Sequence, residues 1–515
     1  MHGDRRAPVF ARAVACAALG GVAIGLGGAP YEAFAVAWLG PTFVYAALRA
    51  LAEQARGPHA LRRAAAVGLF AGLAANGTTC AWVVDLLTAY ASMPVPVAWL
   101  VATLLFVAQS LPFVLGAVLC RAMHRLGAPL GPAFVVASVV SASAAPMIFP
   151  WRIGSSQTGF LALAQLAEIG GLPLLDLVLA AAGVLALSAG VARRPGHALL
   201  AVATVGLPAL WGVHRIDEVR REREGLPALV VGLVQHNFDV PERHDPLQWD
   251  FQMATTWQLT REVEGAGVDL VTWPESALPW AISRPLLFRF ARDLDLVSAG
   301  VRGPIVLGAG TRDGAHTYNS VLAVDRDRVL GVVDKTKLMP FSERIPLWEY
   351  LPFIHPYWGP GLEPGPPEGG TLEVAGARLG ILNCYEDLMA DHVWRVAQAE
   401  PDLLSNHTND AWFGRTRAPE LHHFLARMRA IETRRDLVRT VNTGVSGVVL
   451  STGESLVRSR IFERTTLRAT VRLARGRTPW VRWGDLVTPG AWGAMFAACA
   501  AALRRKVAQH DPPPC

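Results

Sequence analysis

The chain has 515 residues, of which 52% are hydrophobic and only 17% are charged. Soluble globular proteins carry about a quarter charged residues, so this composition argues against an ordinary soluble enzyme and favours a membrane protein. The net charge of +6 would indicate nucleic acid or anionic lipid as a partner only if the basic residues gathered on one soluble face.

Eight apolar segments predict a membrane domain of about eight helices. Most are near or above the lower limit of a bilayer span, which takes about 17 to 25 residues. In chain order they are 13–28, 33–48, 64–87, 95–119, 129–149, a span within 161–192, a span within 198–213, and 486–503. The predicted division is a membrane domain at 1–215, a large polar domain at 216–484, and a last helix with its tail at 485–515.

The basic residues between these segments predict the orientation. One set of short connections is rich in arginine, whereas the opposite set carries only Arg152. Because basic loops stay in the cytoplasm, both termini are expected to be cytoplasmic and the polar domain to lie outside the cytoplasm. The basic excess is then a topology signal, and nucleic acid is not expected as a partner.

The polar domain alternates short apolar runs with helical patterns. The runs predict buried strands at 228–234, 268–273, 305–309, 320–324, 379–382, 403–405, 437–441 and 445–450. The clearest helical pattern covers 421–436, where apolar residues recur at spacings of three and four. Strands mixed with helices indicate an α/β or α+β domain, in which chemistry is expected at the ends of strands.

Three polar residues follow predicted strands and form the candidate site. Glu275 comes after Pro274, which ends regular pairing, Lys335 lies in a short polar window, and Cys384 ends an apolar run. A lone cysteine is most often a small buried hydrophobe, and a lone Glu or Lys is most often solvated. Together they suit nucleophilic catalysis, since a thiol needs a base and a nearby cation to react.

The other cysteines offer no rival chemistry. Cys384 is the only one in the polar domain, so a disulfide within that domain is not expected, and the spacing fits no zinc pattern. Neither a metal nor a cofactor is therefore expected.

Three motifs in this order resemble those of the nitrilase or carbon-nitrogen hydrolase superfamily. They are Trp-Pro-Glu-Ser at 273–276, Lys335 followed by Leu-Met-Pro-Phe-Ser-Glu, and Cys-Tyr-Glu at 384–386. The resemblance implies an α-β-β-α sandwich and a triad of Glu275, Lys335 and Cys384. The segments 405–414 and 422–430, with seven predicted helices before the polar domain and one after it, make the whole chain similar to the superfamily's membrane branch, the apolipoprotein N-acyltransferase family. This similarity implies a location in the bacterial cell (inner) membrane.

This resemblance implies a ping-pong acyl transfer. Glu275 takes the proton of Cys384, the thiolate attacks a phospholipid acyl donor, Lys335 stabilises the oxyanion, and the resulting thioester is attacked by the free amine of a diacylglyceryl apolipoprotein acceptor. Water must be kept from the thioester. The shielding or lid candidates are Phe341, Tyr385, Trp412 and Phe413.

Polar neighbours of the motifs are expected to support the triad. Glu343 and Glu386 match acidic positions of the family and are expected to orient Lys335 and to hold the polar network. Tyr385 is a further candidate for support of the oxyanion. Asn409 and Asn406 are either turn formers or hydrogen-bonding residues of the site.

The chain departs from the family pattern at several places. Its first polar strand is followed by Gln235-His236-Asn237-Phe238 with Trp249 only later, so the lid contact of the family is in doubt. Asn383 precedes the cysteine where an apolar residue is common.

Two alternatives to acyl transfer stay open. A membrane-anchored amidase or nitrilase would hydrolyse a carbon-nitrogen bond without phospholipid. A non-enzymatic binding or transport protein would have no use for the intact Glu275, Lys335 and Cys384.

Overall fold

The computed structural model describes residues 6–54, 59–287, 289–290, 294, 299–326, 328–350 and 361–508. The described residues fall into two compact units. One lies within Met1–Ile216 and Trp483–Cys515, and the other is Asp217–Arg482.

The first unit is built from helices. In chain order the helices that lie in it or run through its boundaries are α1 Arg6–Leu26, α2 Phe34–Ala37, α3 Leu39–Gln54, α4 Ala60–Cys80, α5 Trp82–Ala89, α6 Val95–Gln109, α7 Leu111–Arg125, α8 Leu130–Ala144, α9 Leu161–Ala164, α10 Ala167–Ala192 and α11 Pro195–Glu224, and, near the end of the chain, α16 Pro479–Trp483 and α17 Val487–Ala508.

Small residues let these helices pack closely. A Cβ on Gly21 of α1 would lie 2.1 Å from the carbonyl oxygen of Ala71 on α4, and one on Gly68 of α4 would lie 2.4 Å from that of Phe113 on α7. Close backbone approach through Gly and Ala is typical of helices packed in a membrane, where there is no hydrophobic drive between helices. The pattern therefore fits a bilayer-embedded bundle.

Length and apolarity identify the described helices able to cross a bilayer. Five qualify, or six if α4 and α5, which meet at a 58° bend, form one broken span. The segments predicted at 129–149 and 486–503 fall on the shorter apolar helices Leu130–Ala144 and Val487–Ala502. The count of eight spans stays a prediction.

The second unit contains two β-sheets. Its strands are β1 Ala228–Gln235, β2 Leu270–Thr272, β3 Ile282–Ser283, β4 Ile305–Asp313, β5 His316–Asp325, β6 Arg328–Asp334, β7 Gly370–Val374, β8 Ala377–Asn383, β9 Leu403–Thr408, β10 Leu437–Val441, β11 Gly447–Val449, β12 Ser455–Arg458 and β13 Thr465–Arg472. The first sheet has the order β13-β1-β2-β4-β5-β6 with β3 beside β4, and the second has the order β12-β11-β10-β9-β8-β7.

Alternating side chains place these sheets face to face. Val306, Ile381 and Leu403 belong to one apolar cluster that joins residues of both sheets. Their neighbours along the strands point the other way: Ile305 packs with residues of a helix, and Leu404 packs with residues of two others. Because successive strand residues face opposite sides, each sheet has one face on the shared core and one covered by helices.

The helices of this unit are α12 Val240–His244, α13 Trp249–Gly265, α14 Ala390–Gln398 and α15 Ala418–Thr433. Val263 of α13 lies in the cluster of the first sheet's outer face, and Val396 of α14 and Ala430 of α15 lie in that of the second. The predicted fold class, a helical membrane domain plus an α-β-β-α sandwich domain, is confirmed.

One predicted boundary is wrong. The helix expected at 421–436 runs from Ala418 to Thr433. Arg434 adopts a left-handed conformation with φ of 52°, which ends the helix, and the chain enters β10 three residues later. The apolar spacing did not reveal this stop because no glycine marks it.

Candidate active site

Glu275 lies in a tight turn directly after β2, held against strand β4. The backbone N–H of Gly308 donates to the carbonyl of Pro274 over 3.1 Å, and the N–H of Ala277 donates to the carbonyl of Gly308 over 2.7 Å. A Cβ on Gly308 would lie 2.6 Å from the Cα of Glu275. Only glycine at 308 therefore lets the turn lie this close to the sheet.

Lys335, the residue after β6, meets two carboxylates. Its Nζ donates to Oε1 of Glu275 over 3.1 Å and to Oε1 of Glu343 over 2.8 Å. The side-chain amide of Asn319 on β5 donates to the same two oxygens, over 2.7 Å and 3.1 Å. The lysine is 2% exposed, so these are buried, charge-assisted bonds.

The carboxylates keep this lysine charged. Burial alone would lower the pKa of Lys335, but Glu275 and Glu343 raise it well above its ordinary value. An ammonium that stays protonated is suited to stabilise a developing negative charge.

The second oxygen of Glu275 is also placed by a neighbour. Its Oε2 accepts a 3.0 Å hydrogen bond from the backbone N–H of Asn409, just beyond the end of β9. Asn409 is buried, and its side-chain oxygen accepts from Asn442 over 2.9 Å. A carboxylate with bonds on both oxygens has a fixed orientation.

Cys384 begins a 3₁₀ turn, Cys384–Leu388, at the end of β8. Its φ of 54° is left-handed, which is costly for a residue with a side chain and is often found at functional sites. Two neighbours hold the turn: Asn406 donates to the Cys384 carbonyl over 2.8 Å, and Asn383 donates to the side-chain oxygen of Asn319 over 3.0 Å.

The thiol is protonated at neutral pH. Burial raises the pKa of Cys384 well above its ordinary value, the Glu275 carboxylate raises it further, and Lys335 lowers it. These opposing influences put Glu275 and Lys335 in the electrostatic surroundings of the thiol. A nucleophilic reaction at Cys384 therefore needs a base that removes the proton during attack.

Glu386 ties the lysine segment to the cysteine turn. One of its oxygens accepts from the backbone N–H groups of Thr336 and Lys337, over 2.7 Å and 2.8 Å, and the other accepts from the N–H of Asn383 over 2.8 Å. Burial alone would raise the pKa of Glu386, but His392 and the backbone N–H groups of Lys337 and Asn383 lower it. Its contacts join the residues beside Lys335 and Cys384 rather than Lys335 itself.

Comparisons with known proteins show the family to which this chain is similar. The profile of the carbon-nitrogen hydrolase family matches residues 231–478, and that of the apolipoprotein N-acyltransferase N-terminal domain matches residues 20–185. The apolipoprotein N-acyltransferase of Azotobacter vinelandii is 30% identical, over 96% of this chain and 95% of that protein.

The chain belongs to the apolipoprotein N-acyltransferase family. Two further members are similar over comparable lengths. That of Ralstonia nicotianae is 33% identical, over 89% of this chain and 88% of its own, and that of Geobacter metallireducens is 29% identical, over 87% and 89%. Together with the apolar helices, this membership makes the chain a multi-pass membrane protein.

The aromatic candidates lie in different surroundings. Tyr385 is buried, with its hydroxyl donating to the Leu338 carbonyl over 3.4 Å and its ring centroid 6.0 Å from Nζ of Lys335. Burial raises its pKa to about 12, so its phenol is neutral. Phe341 is 72% exposed and Trp412 42% exposed, while Phe413 is partly exposed. Tyr385 therefore lies beside the lysine.

Two features of the site were missed or misjudged from sequence. Asn319 was absent from the candidates, although it joins Glu275, Glu343 and Asn383. Only a weak sign of this role is present in the sequence. Asn319 is an asparagine, a residue type that is rare in strands, and it stands directly before an apolar run. Asn383, taken as a departure from the family, supplies the link between that network and the cysteine turn.

Among the described residues, no group of three or more His, Cys, Asp and Glu side chains is arranged to hold a metal ion.

Trp249 opens α13 and lies 6.2 Å from Trp280 between ring centroids.

Proposed function

We propose that this chain transfers an acyl group from a phospholipid, through a thioester on Cys384, to the N-terminal amine of diacylglyceryl-cysteine in apolipoproteins. The observation that carries the proposal is the shared network of Glu275, Lys335 and Asn319 around a neutral thiol. A base, a cation and a partly exposed nucleophile are then available in one site, in a family named for this acceptor.

In the first half-reaction Glu275 takes the thiol proton as the sulfur attacks the acyl ester carbonyl. The carbonyl oxygen gains negative charge, which Lys335 stabilises. The C–O bond then breaks, the lysophospholipid leaves, and its alkoxide takes the proton back from Glu275. The product is an acyl thioester on Cys384.

In the second half-reaction the acceptor amine attacks the thioester carbonyl. Glu275 takes a proton from the amine, Lys335 again stabilises the oxyanion, and the C–S bond breaks. The thiolate regains the proton from Glu275, which returns the site to its starting state. The acyl group leaves as an amide on the lipoprotein.

Glu343 is proposed to orient the lysine. Its Oε2 accepts from the backbone N–H of Met339 over 2.8 Å while its Oε1 accepts from Lys335. The carboxylate thereby fixes the direction of the ammonium group without touching the reacting atoms. Phe341, Trp412 and Phe413 are proposed to shield the thioester or to form a lid over it.

The orientation is part of the proposal. We propose that the helices span a bacterial cell membrane, with both termini in the cytoplasm and the sandwich domain outside it. The reason is that the basic connections between the predicted helices lie on one side. A green fluorescent protein fused after Cys515 should be fluorescent and a fused alkaline phosphatase inactive. The reverse pattern would contradict this orientation.

The chemical proposal is tested by trapping the thioester. Purified full-length protein is incubated with deuterated phosphatidylethanolamine and phosphatidylglycerol in the absence of an acceptor, and peptides are analysed by mass spectrometry. We expect one deuterated acyl group on Cys384, sensitive to hydroxylamine and absent from Cys384→Ala. No adduct, with ammonia released from small amides, would instead favour a membrane-anchored amidase, which the carbon-nitrogen hydrolase match keeps as the second candidate.

A further inference from the structure

A buried cluster of charged side chains includes Asp387 of the cysteine turn and takes no part in the reaction described above. Its centre is His422 on α15. Nε2 of this ring lies 2.9 Å from Oδ1 of Asp387, and Nδ1 lies 2.9 Å from Oδ1 of Asp410. Arg439 on β10 completes the cluster by donating to Oδ2 of Asp387 over 3.0 Å.

Both ring nitrogens face carboxylate oxygens, which fixes the protonation of the imidazole. An ionised carboxylate only accepts hydrogen bonds, and a neutral imidazole has one nitrogen without a proton. A neutral ring would turn that lone pair toward an oxygen of Asp387 or Asp410. His422 is therefore an imidazolium.

The charge balance points the same way. Asp387, Asp410 and Arg439 are fully buried and His422 nearly so. Two carboxylates and one guanidinium leave one negative charge, which is costly to bury unpaired. A protonated His422 makes the cluster neutral. Burial and Arg439 lower its pKa, but the two aspartates raise it above its ordinary value overall.

The two aspartates belong to the two turns that form the candidate site. Asp387 lies in the same 3₁₀ turn as Cys384. Asp410 follows Asn409, whose backbone N–H donates to Glu275. One ring thus connects the segment that presents the nucleophile with the segment that orients the base.

We propose that His422 is a positioning residue of the acyl transfer, which as an imidazolium links the turn of Cys384 to the turn of Asn409. This inference rests on the proposed function. The ring does not touch the reacting atoms. It acts by setting the position of the thiol relative to Glu275 and by balancing the charge of Asp410, which raises the pKa of the thiol.

Loss of the proton would disturb both effects. The cluster would carry one net negative charge beside Cys384, and one nitrogen would face a carboxylate without a bond. Among the described residues, the charged groups that act on His422 are Arg439, Asp387 and Asp410. Ionisable neighbours on its own helix have other partners: Arg429 pairs with Glu432 over 2.9 Å, and Nε2 of His423 lies 3.1 Å from Oγ of Ser455. His422 is then the group whose ionisation changes the charge of the cluster.

His423 provides a matched control. It is equally buried on the same helix, but burial, with nearby arginines, lowers its pKa well below the ordinary value, so its ring is neutral. His423→Gln removes a buried imidazole of the same size without changing the cluster. Any loss that it shares with His422→Gln comes from burial and folding alone.

The test compares single-turnover acylation of Cys384 in full-length wild-type protein, His422→Gln and His423→Gln, with each rate expressed per folded molecule at saturating phospholipid. We expect His422→Gln to acylate at least about tenfold more slowly, with the phospholipid concentration for half-maximal rate unchanged. The wild type and His423→Gln should lose rate as pH rises through the ionisation of His422, whereas His422→Gln should lack that decrease.

Equal rates and equal pH profiles in the two variants would overturn the inference. If His422→Gln does not fold, His422→Asn, which retains the donor toward Asp410, is measured in the same way. Failure of the proposed function is recognised separately, because the wild type would then show no adduct at all.

Discussion

Asn319 donates a hydrogen bond of 2.7 Å from its side-chain amide to Oε1 of Glu275. The same oxygen accepts from Lys335, while Oε2 accepts a bond from the Asn409 backbone. Oε1 of Glu275 thus accepts two hydrogen bonds and Oε2 accepts one. The second lone pair of Oε2 remains available to take a proton. The position of the proposed base is therefore set by a strand residue that takes no part in the chemistry.

Replacing Asn319 should slow acylation more than it destabilises the fold. Asn319→Leu removes donors to two carboxylates, and bonds to charged groups contribute about 1.5–3 kcal/mol each, so we expect acylation to slow by about 10- to 100-fold. Gln235→Leu is the control, since the hydrogen bonds of its buried amide within the described part of the chain go to Arg460, Glu463, Ser446 and Ser459. Equal rates per folded molecule in the two variants would contradict this role.

Replacing Glu275 and replacing Lys335 should shift the pKa of the Cys384 thiol in opposite directions. The carboxylate raises and the ammonium lowers the pKa of Cys384. Glu275→Gln should therefore lower the pH at which iodoacetamide alkylates Cys384, and Lys335→Met should raise it, as followed by mass spectrometry of the Cys384 peptide. Glu275→Gln should nevertheless fail to form the acyl adduct, because the base is gone. Faster acylation in Glu275→Gln would contradict its assignment.

Gly308 should tolerate no side chain. The Cβ of Gly308→Ala would meet the backbone of Pro274, Glu275 and Ser276 at 2.6–2.7 Å, so the turn must move and acylation should fall at least about tenfold, a cost of about 1.4 kcal/mol. Gly310→Ala on the same strand meets Ala281 at 3.5 Å, an ordinary contact, and should acylate normally. A normal rate in Gly308→Ala would show that the turn is not fixed by this contact.

The stability of the sandwich domain should depend on pH through His422. Its pKa is raised in the folded state, so its contribution is fully present below the unfolded value of about 6.5 and is lost as pH rises through the raised folded value. The melting temperature of wild type minus that of His422→Gln should shrink over this window. A difference that grows with rising pH would have the wrong sign.

Apolar strands with a clear pattern were predictable from the sequence. Strands β1, β2 and β8 are largely buried runs of mostly aliphatic residues, and the ends of β2 and β8 led to Glu275 and Cys384. Strand β13 was missed because threonine and arginine alternate with its Leu467, Ala469 and Val471, which resembles a polar surface segment. Strand β3, with two residues, is too short to leave any pattern.

The buried charges of the site could not be predicted in the same way. Asp387, His422 and Arg439 lie far apart in the sequence, and each is of a type that is mostly exposed or intermediate. Only the folded chain brings them together, and the attraction between their opposite charges offsets the free-energy cost of burying them. Motifs predicted the triad, whereas the supporting network could be found only in the structure.

The central claim is most directly tested by a chase of the isolated acyl-enzyme. Protein carrying the deuterated acyl group on Cys384 is mixed with a diacylglyceryl-cysteine peptide that has a free N-terminal amine or, as a control, an acetylated one. The account predicts that the label passes to the free amine as an amide while Cys384 returns to the thiol, and that the acetylated peptide receives none. Release of the label only as free fatty acid, at the same rate with either peptide, would contradict it.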